Sequence, residues 1–143
     1  MVAACEASLS HLSLAQWLTK KEADNSESQS HLQKSLESSQ TALQMYEEFG
    51  FVQVVECTSE EILFRHSQAL IANNRIDEGI EFLKHAYQEM MRKHDLIPEG
   101  SPYRKTYLEN IQLHRDLQAA YIKQTAAASK RRKTRSSSKA GPA

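Results

Sequence analysis

Apolar residues return every three or four positions along most of this chain, the spacing that gathers them on one face of an α-helix. Leu9, Leu12, Leu14, Ala15 and Leu18 trace a first face and predict a helix over roughly residues 3–20. The polar run 21–29, rich in serine, asparagine and acids, predicts an exposed loop. A second stripe of Leu32, Leu36, Ser39, Leu43, Tyr46 and Phe49 predicts a helix over about 29–49, ended by Gly50. The stretch from Phe51 to Thr58 is apolar and β-branched, but no partner strand is evident elsewhere, so it reads as a connector or the early part of a helix.

Thr58-Ser-Glu-Glu supplies a capping hydroxyl followed by acids, which suits the unpaired N–H groups at a helix start. The third face, Ile62, Leu63, Arg65/His66, Ala69 and Leu70, stops at Asn73-Asn74, residues that tolerate a left-handed turn. Ile76, Gly79, Ile80, Leu83, Ala86, Tyr87, Met90 and Met91 predict a fourth helix over roughly 76–95, ended by the segment Pro98–Pro102. Ser101 and Pro102 offer a cap and a first-turn proline to a last helical stretch running through Tyr121, with a break near Asn110. From about 126 the chain is too poor in apolar side chains to offset its ordering entropy, which predicts a disordered tail. The fold class is all-α, with one helical domain at 1–125 and a tail at 126–143.

Only four glycines and three prolines interrupt 143 residues, which agrees with helices joined by short turns. The formal charge of zero hides an asymmetry. Residues 123–143 carry seven basic residues and no acid, while residues 1–122 carry the other 11 basic and all 18 acidic residues, so a body of −7 is offset by a tail of +7. No apolar run of about 18 residues and no secretory leader is present, so a cytoplasmic chain without membrane insertion is expected. Cys5 and Cys57 lie far apart and outside any C-x-x-C pattern, and read as buried reduced thiols.

Helices two and four share a pattern at a constant offset of 44: Leu32-x-x-Ser35-Leu36 with Ala42-Leu43 matches Ile76-x-x-Gly79-Ile80 with Ala86-Tyr87. Small residues seven apart fall on nearly one side of a helix and admit a neighbouring helix closely. The pattern resembles the tetratricopeptide repeat, best in Asn73 to Ala86, with a looser first copy in which Ser39 stands where that family prefers a large residue. The stretches Ser59–Arg65, Glu89–Pro98, Tyr107–Ile111 and His114-Arg115 are similar to the end of repeat arrays in large bacterial signalling ATPases, cyclases and transcriptional regulators. The resemblance implies about two antiparallel hairpins, a C-terminal capping helix, and a scaffold that binds proteins in a signalling or regulatory assembly. The nucleotide-binding modules of such relatives have no counterpart here, since no G-x-x-x-x-G-K-[ST] loop occurs.

No catalytic motif, cofactor motif or metal-ligand spacing is found; the six histidines form neither H-x-x-x-H nor H-E-x-x-H. Adjacent acids such as Glu60-Glu61, Glu47-Glu48 and Asp77-Glu78 diverge around a helix and read as solvated surface. Tyr103, Arg104, Tyr107, Asn110, His114 and Arg115 concentrate recognition-type side chains and form a candidate partner-binding set. The competing reading makes Tyr107, Leu108 and Ile111 a cap over helices three and four, with Arg104 and Arg115 bridging acids such as Glu81 or Glu109. Lys130, Arg131, Arg132, Lys133 and Arg135 are candidates for binding nucleic acid or another polyanion. A non-catalytic interaction module that presents a groove or apolar end to a protein partner, with an exposed N-terminal face met by self-association or a larger assembly, is the leading expectation; a nucleic-acid-binding accessory protein is the alternative.

Overall fold

The computed structural model describes residues 1–21, 25–52 and 56–137, with side chains described as far as residue 126. Its helices are α1 (Val2–Lys20), α2 (Asn25–Glu48), α3 (Ser59–Ala72), α4 (Ile76–Asp95), α5 (Pro102–Glu109) and α6 (Gln112–Ser137). The fold is all-α, and no strand occurs among the described residues. No described helix is long and apolar enough to cross a membrane.

The turns follow from residues that accept unusual backbone. Gly50 and Asn74 take left-handed φ values of 68° and 61°, at the ends of α2 and α3. Ser101 caps α5, its hydroxyl accepting from the Tyr103 N–H at 3.3 Å with Pro102 in the first turn. The break near Asn110 separates α5 from α6. Thr58 occupies the N-cap of α3 with extended backbone, yet its hydroxyl makes no capping bond. Within the apolar run after Gly50, Val54 and Val55 lie outside the described residues.

α1 packs on α2 and α3 on α4, while α2 contacts α3 and α6 contacts α4. Each hairpin is antiparallel: Ser35 Oγ donates to the Ser8 carbonyl at 2.8 Å and Ser28 Oγ to the Ala15 carbonyl at 3.1 Å, and across α3 and α4 Ser59 pairs with Glu89 and Ser67 with Gly79. The matched small residues Ser35, Ala42, Gly79 and Ala86 are all buried, so both copies use them for close helix approach. These contacts are compatible with tetratricopeptide-like hairpins.

The structure differs from the apolar stripes at two residues. At the seam where α1 crosses α2 the contact is made by small residues, Ser8 and Ala15 against Ser35 and Ser28, beside the buried Leu12 and Leu18, and Leu9 is left on the outer side. Leu9 is exposed although it belongs to the expected apolar stripe, and Phe49, 66 % exposed, lies just past the end of α2 at Glu48. The same seam starts α2 at Asn25, because Ser28 is buried against α1 instead of lying in a loop; residues 22–24 are outside the described residues.

Among the described residues, buried apolar side chains gather in two clusters. Cys5, Ala42, Tyr46, Cys57 and Ile62 form one cluster; Phe64, Leu83, Ala86, Met90 and Leu117 form the other, against which Tyr107, Leu108 and Tyr121 pack. Met90 is therefore core, and Tyr87 stacks flat on Tyr121 with ring centroids 4.0 Å apart, which fastens α6 to α4. The α6 backbone is helical as far as Ser137. The side chains of Lys130, Arg131, Arg132, Lys133 and Arg135, and all of residues 138–143, lie outside the described residues.

Candidate functional site

Along α4, His85, Gln88, Glu89 and Arg92 recur at three- and four-residue spacing and so share one face. With Tyr46, Phe51 and Leu63 they line an open groove of about 320 Å³ between α2, α3 and α4. The apolar side of this groove depends on how α2 ends. The Gly50 N–H donates to the Glu47 carbonyl at 2.9 Å and the Phe51 N–H to the Tyr46 carbonyl at 2.8 Å. Phe51 follows Gly50 into left-handed backbone, φ 64°, a strained state for an aromatic residue. Its ring meets Tyr46 edge-on at 5.4 Å between centroids, while Phe51 as a whole stays 65 % exposed.

The polar wall is held from behind. Arg92 donates through Nε and an Nη to the two oxygens of Glu89, both at 2.8 Å, and Ser59 Oγ donates to Glu89 Oε1 at 2.9 Å. The Arg92 hydrogen bonds keep the Glu89 carboxyl below its ordinary range. Ser59 stands beside Glu60, which is not solvated surface but buried, 2 % exposed. Lys93 Nζ donates to Glu60 Oε2, and His114 Nε2 lies 3.3 Å from Glu60 Oε1. Burial pushes the Glu60 carboxyl up, but the hydrogen bonds from His114, Lys93 and its own backbone N–H outweigh it and leave the group at about 2.

His114 joins this pair to the capping helices: its Nδ1 donates to the Tyr107 carbonyl at 2.7 Å. Both ring nitrogens thus face oxygen acceptors. Of the candidate partner-binding residues, His114 is buried and Tyr107 packs into the second core cluster. The Tyr107 hydroxyl is buried with no hydrogen-bond partner among the described residues, and burial with the nearby Glu60 and Glu89 carboxylates pushes the phenol up. Arg104 pairs with Asp95 at 2.9 Å, not with Glu81, and Arg115 donates to the Glu109 backbone carbonyl and to Gln112. Tyr103 and Asn110 are exposed. The six therefore divide between a buried joint and a scattered rim.

The groove residues carry little sequence signal beyond the aromatic run Tyr46, Phe49 and Phe51 around Gly50. Two other histidines meet between α1 and α2, where His11 Nδ1 and His31 Nδ1 lie 2.9 Å apart with stacked rings. Burial, then the His31 ring, pushes His11 down. Among the described residues no group of three or more His, Cys, Asp or Glu is placed to hold a metal ion. No family model, no curated protein and no solved structure matches the chain.

Proposed function

We propose that this chain is a non-catalytic, tetratricopeptide-like interaction module whose groove between α2, α3 and α4 takes a segment of a protein partner. The observation that carries the reading is Phe51, an exposed aromatic held in left-handed backbone at the edge of the groove. Strain of this kind persists where the surrounding structure over-determines it, and it clusters at ligand clamps. An apolar side chain of the partner enters between Phe51 and Leu63, and His85, Gln88 and the Glu89–Arg92 pair set the polar ends. The resemblance to the ends of bacterial repeat arrays supports a signalling or regulatory assembly as the setting.

Peptide display against the full chain tests this. Enriched peptides should share an aromatic or aliphatic anchor and lose at least about tenfold in affinity, some 1.4 kcal/mol, on Phe51→Glu or Arg92→Glu. Equal affinity for the wild type and both variants, with circular dichroism showing all three folded, overturns the reading.

A further inference from the structure

Cys5 in α1 and Cys57 just before α3 are 52 positions apart, yet they meet in one core cluster, 4 % and 1 % exposed, as free thiols. The fold thus brings the first helix and the segment entering α3 together at the two thiols. Both line a small pocket, with Glu6, Glu56, Glu61 and Arg65 also at its wall. The pocket holds about 60 Å³, roughly two waters at ~30 Å³ each, so it admits a molecule the size of hydrogen peroxide and excludes a glutathione-sized oxidant.

The two sulfurs are not equivalent. Cys57 precedes the N-cap of α3, where the helix N-terminus favours an anion and the Thr58 hydroxyl makes no cap. Arg65, paired through an Nη with Glu61 at 3.1 Å, adds a positive charge at the pocket wall, and its buried Nε–H has no partner among the described residues. We propose that Cys5 and Cys57 form a peroxide-oxidisable dithiol, in which Cys57 attacks and Cys5 resolves, closing a disulfide between α1 and the segment entering α3. The neighbouring Cys5 pulls the Cys57 thiol below its ordinary range, while Cys57 and burial push the Cys5 thiol up, which agrees with Cys57 as the attacking sulfur.

The Cys57 thiolate attacks one peroxide oxygen; the S–O bond forms, the O–O bond breaks, and the leaving hydroxide takes up the proton Cys57 gave, as water. The Cys5 sulfur then attacks Cys57 sulfur, the S–S bond forms and the S–O bond breaks. The second hydroxide takes the Cys5 proton, so two thiols lose two electrons and peroxide becomes two waters. This site is independent of the groove and survives failure of the interaction reading.

Intact-mass spectrometry of the full chain treated with equimolar hydrogen peroxide tests the pair. The expected result is loss of two hydrogens, loss of both maleimide-reactive thiols, one peptide joining Cys5 to Cys57, and recovery of both thiols with dithiothreitol. Cys5→Ser should stop at a sulfenic acid on Cys57 that dimedone traps, and Cys57→Ser should keep its single thiol. Persistence of both wild-type thiols, cross-links between chains, or a sulfinic acid on one cysteine beside a free partner overturns the proposal without any variant having to fold. Dimedone capture on Cys5 rather than Cys57 overturns the assignment of roles.

Discussion

Ser67 Oγ donates to the Gly79 carbonyl at 2.7 Å, so α3 and α4 approach almost backbone to backbone at this point. A Cβ at position 79 would lie 2.5 Å from Ile71 Cγ1 and 3.0 Å from the Ser67 carbonyl oxygen. Alanine would favour the helix by about 1 kcal/mol, but overpacking at a backbone contact costs about 1–3 kcal/mol. The clash wins, because the Ser67 carbonyl belongs to the α3 ladder and cannot swing aside. Gly79→Ala should destabilise by roughly 1–2 kcal/mol, read as a lower urea midpoint at unchanged slope. Combining it with Ile71→Ala should recover part of that loss; strict additivity of the two would refute close approach as the cause.

Acid should weaken the fold in two successive windows. His66 is 6 % exposed and accepts no solvent in place of its partners: its Nδ1 donates to Ser39 Oγ at 3.0 Å, because the Ser39 proton goes to the Leu36 carbonyl, and Phe82 covers it edge-on. Burial first, and Arg75 second against the opposing pull of Glu78, lower the group from 6.5 to about 4. The unfolded chain then binds more protons between these values, so stability falls as pH drops from 6.5 towards 4, by up to about 3 kcal/mol. Glu60, lowered from 4.5 to about 2, contributes stability that is present above 4.5 and is lost as pH falls towards 2. Urea midpoints from pH 7 to 3 should decline through the first window in the wild type and much less in His66→Asn. Glu60→Gln should cost roughly 3 kcal/mol at neutral pH, since the amide removes the buried negative charge and turns one of the two oxygens facing Lys93 and His114 into a donor, and should flatten the lower window. A wild-type midpoint that is level from pH 7 to 4.5 would remove the His66 account.

Local chemistry was readable and long-range polar pairing was not. The bounds of α4, the Ser101-Pro102 start, the break at Asn110 and the left-handed Asn74 all follow from a few adjacent residues. The matched small residues of α2 and α4 also marked the hairpin seams. Hydrophobic periodicity, however, weighs leucine above serine, so it puts Leu9 and Phe49 inside and gives no hint that Ser8 and Ser28 fill the α1–α2 seam. Ser39 with His66, Glu60 with Lys93, and Glu60 with His114 are 27, 33 and 54 residues apart, and nothing in either partner's neighbourhood names the other. The groove was hidden for the same reason, since three separate helices or turns must converge to form it.

Phe51 separates stability from binding. Its left-handed backbone costs about 1–2 kcal/mol, and its edge contact with Tyr46 returns about 0.5–1.5 kcal/mol. These nearly cancel, so Phe51→Gly should leave the urea midpoint almost unmoved while peptides selected on the groove lose at least about tenfold in affinity. A large drop in stability with retained peptide affinity would mean that the aromatic serves the fold alone.

Leu14 and Trp17 lie one turn apart on α1, 40 % and 55 % exposed, and leave an apolar stripe on the outer helix of the first hairpin. Lys21 Nζ sits over the Trp17 ring, 5.9 Å from its centroid, and Trp17 remains 55 % exposed. Two contacts could join copies of this chain, this stripe or the basic tail against the acidic body, and salt distinguishes them. At 1 M salt the screening length shrinks to about 3 Å, which removes a tail-to-body attraction but leaves apolar burial intact. Sedimentation equilibrium of the full chain should show self-association that persists at 1 M sodium chloride and is abolished by Trp17→Glu. Association that dissolves in salt and survives Trp17→Glu would assign the contact to the charge asymmetry instead, and a monomer at every salt concentration would show that neither surface pairs with its own kind.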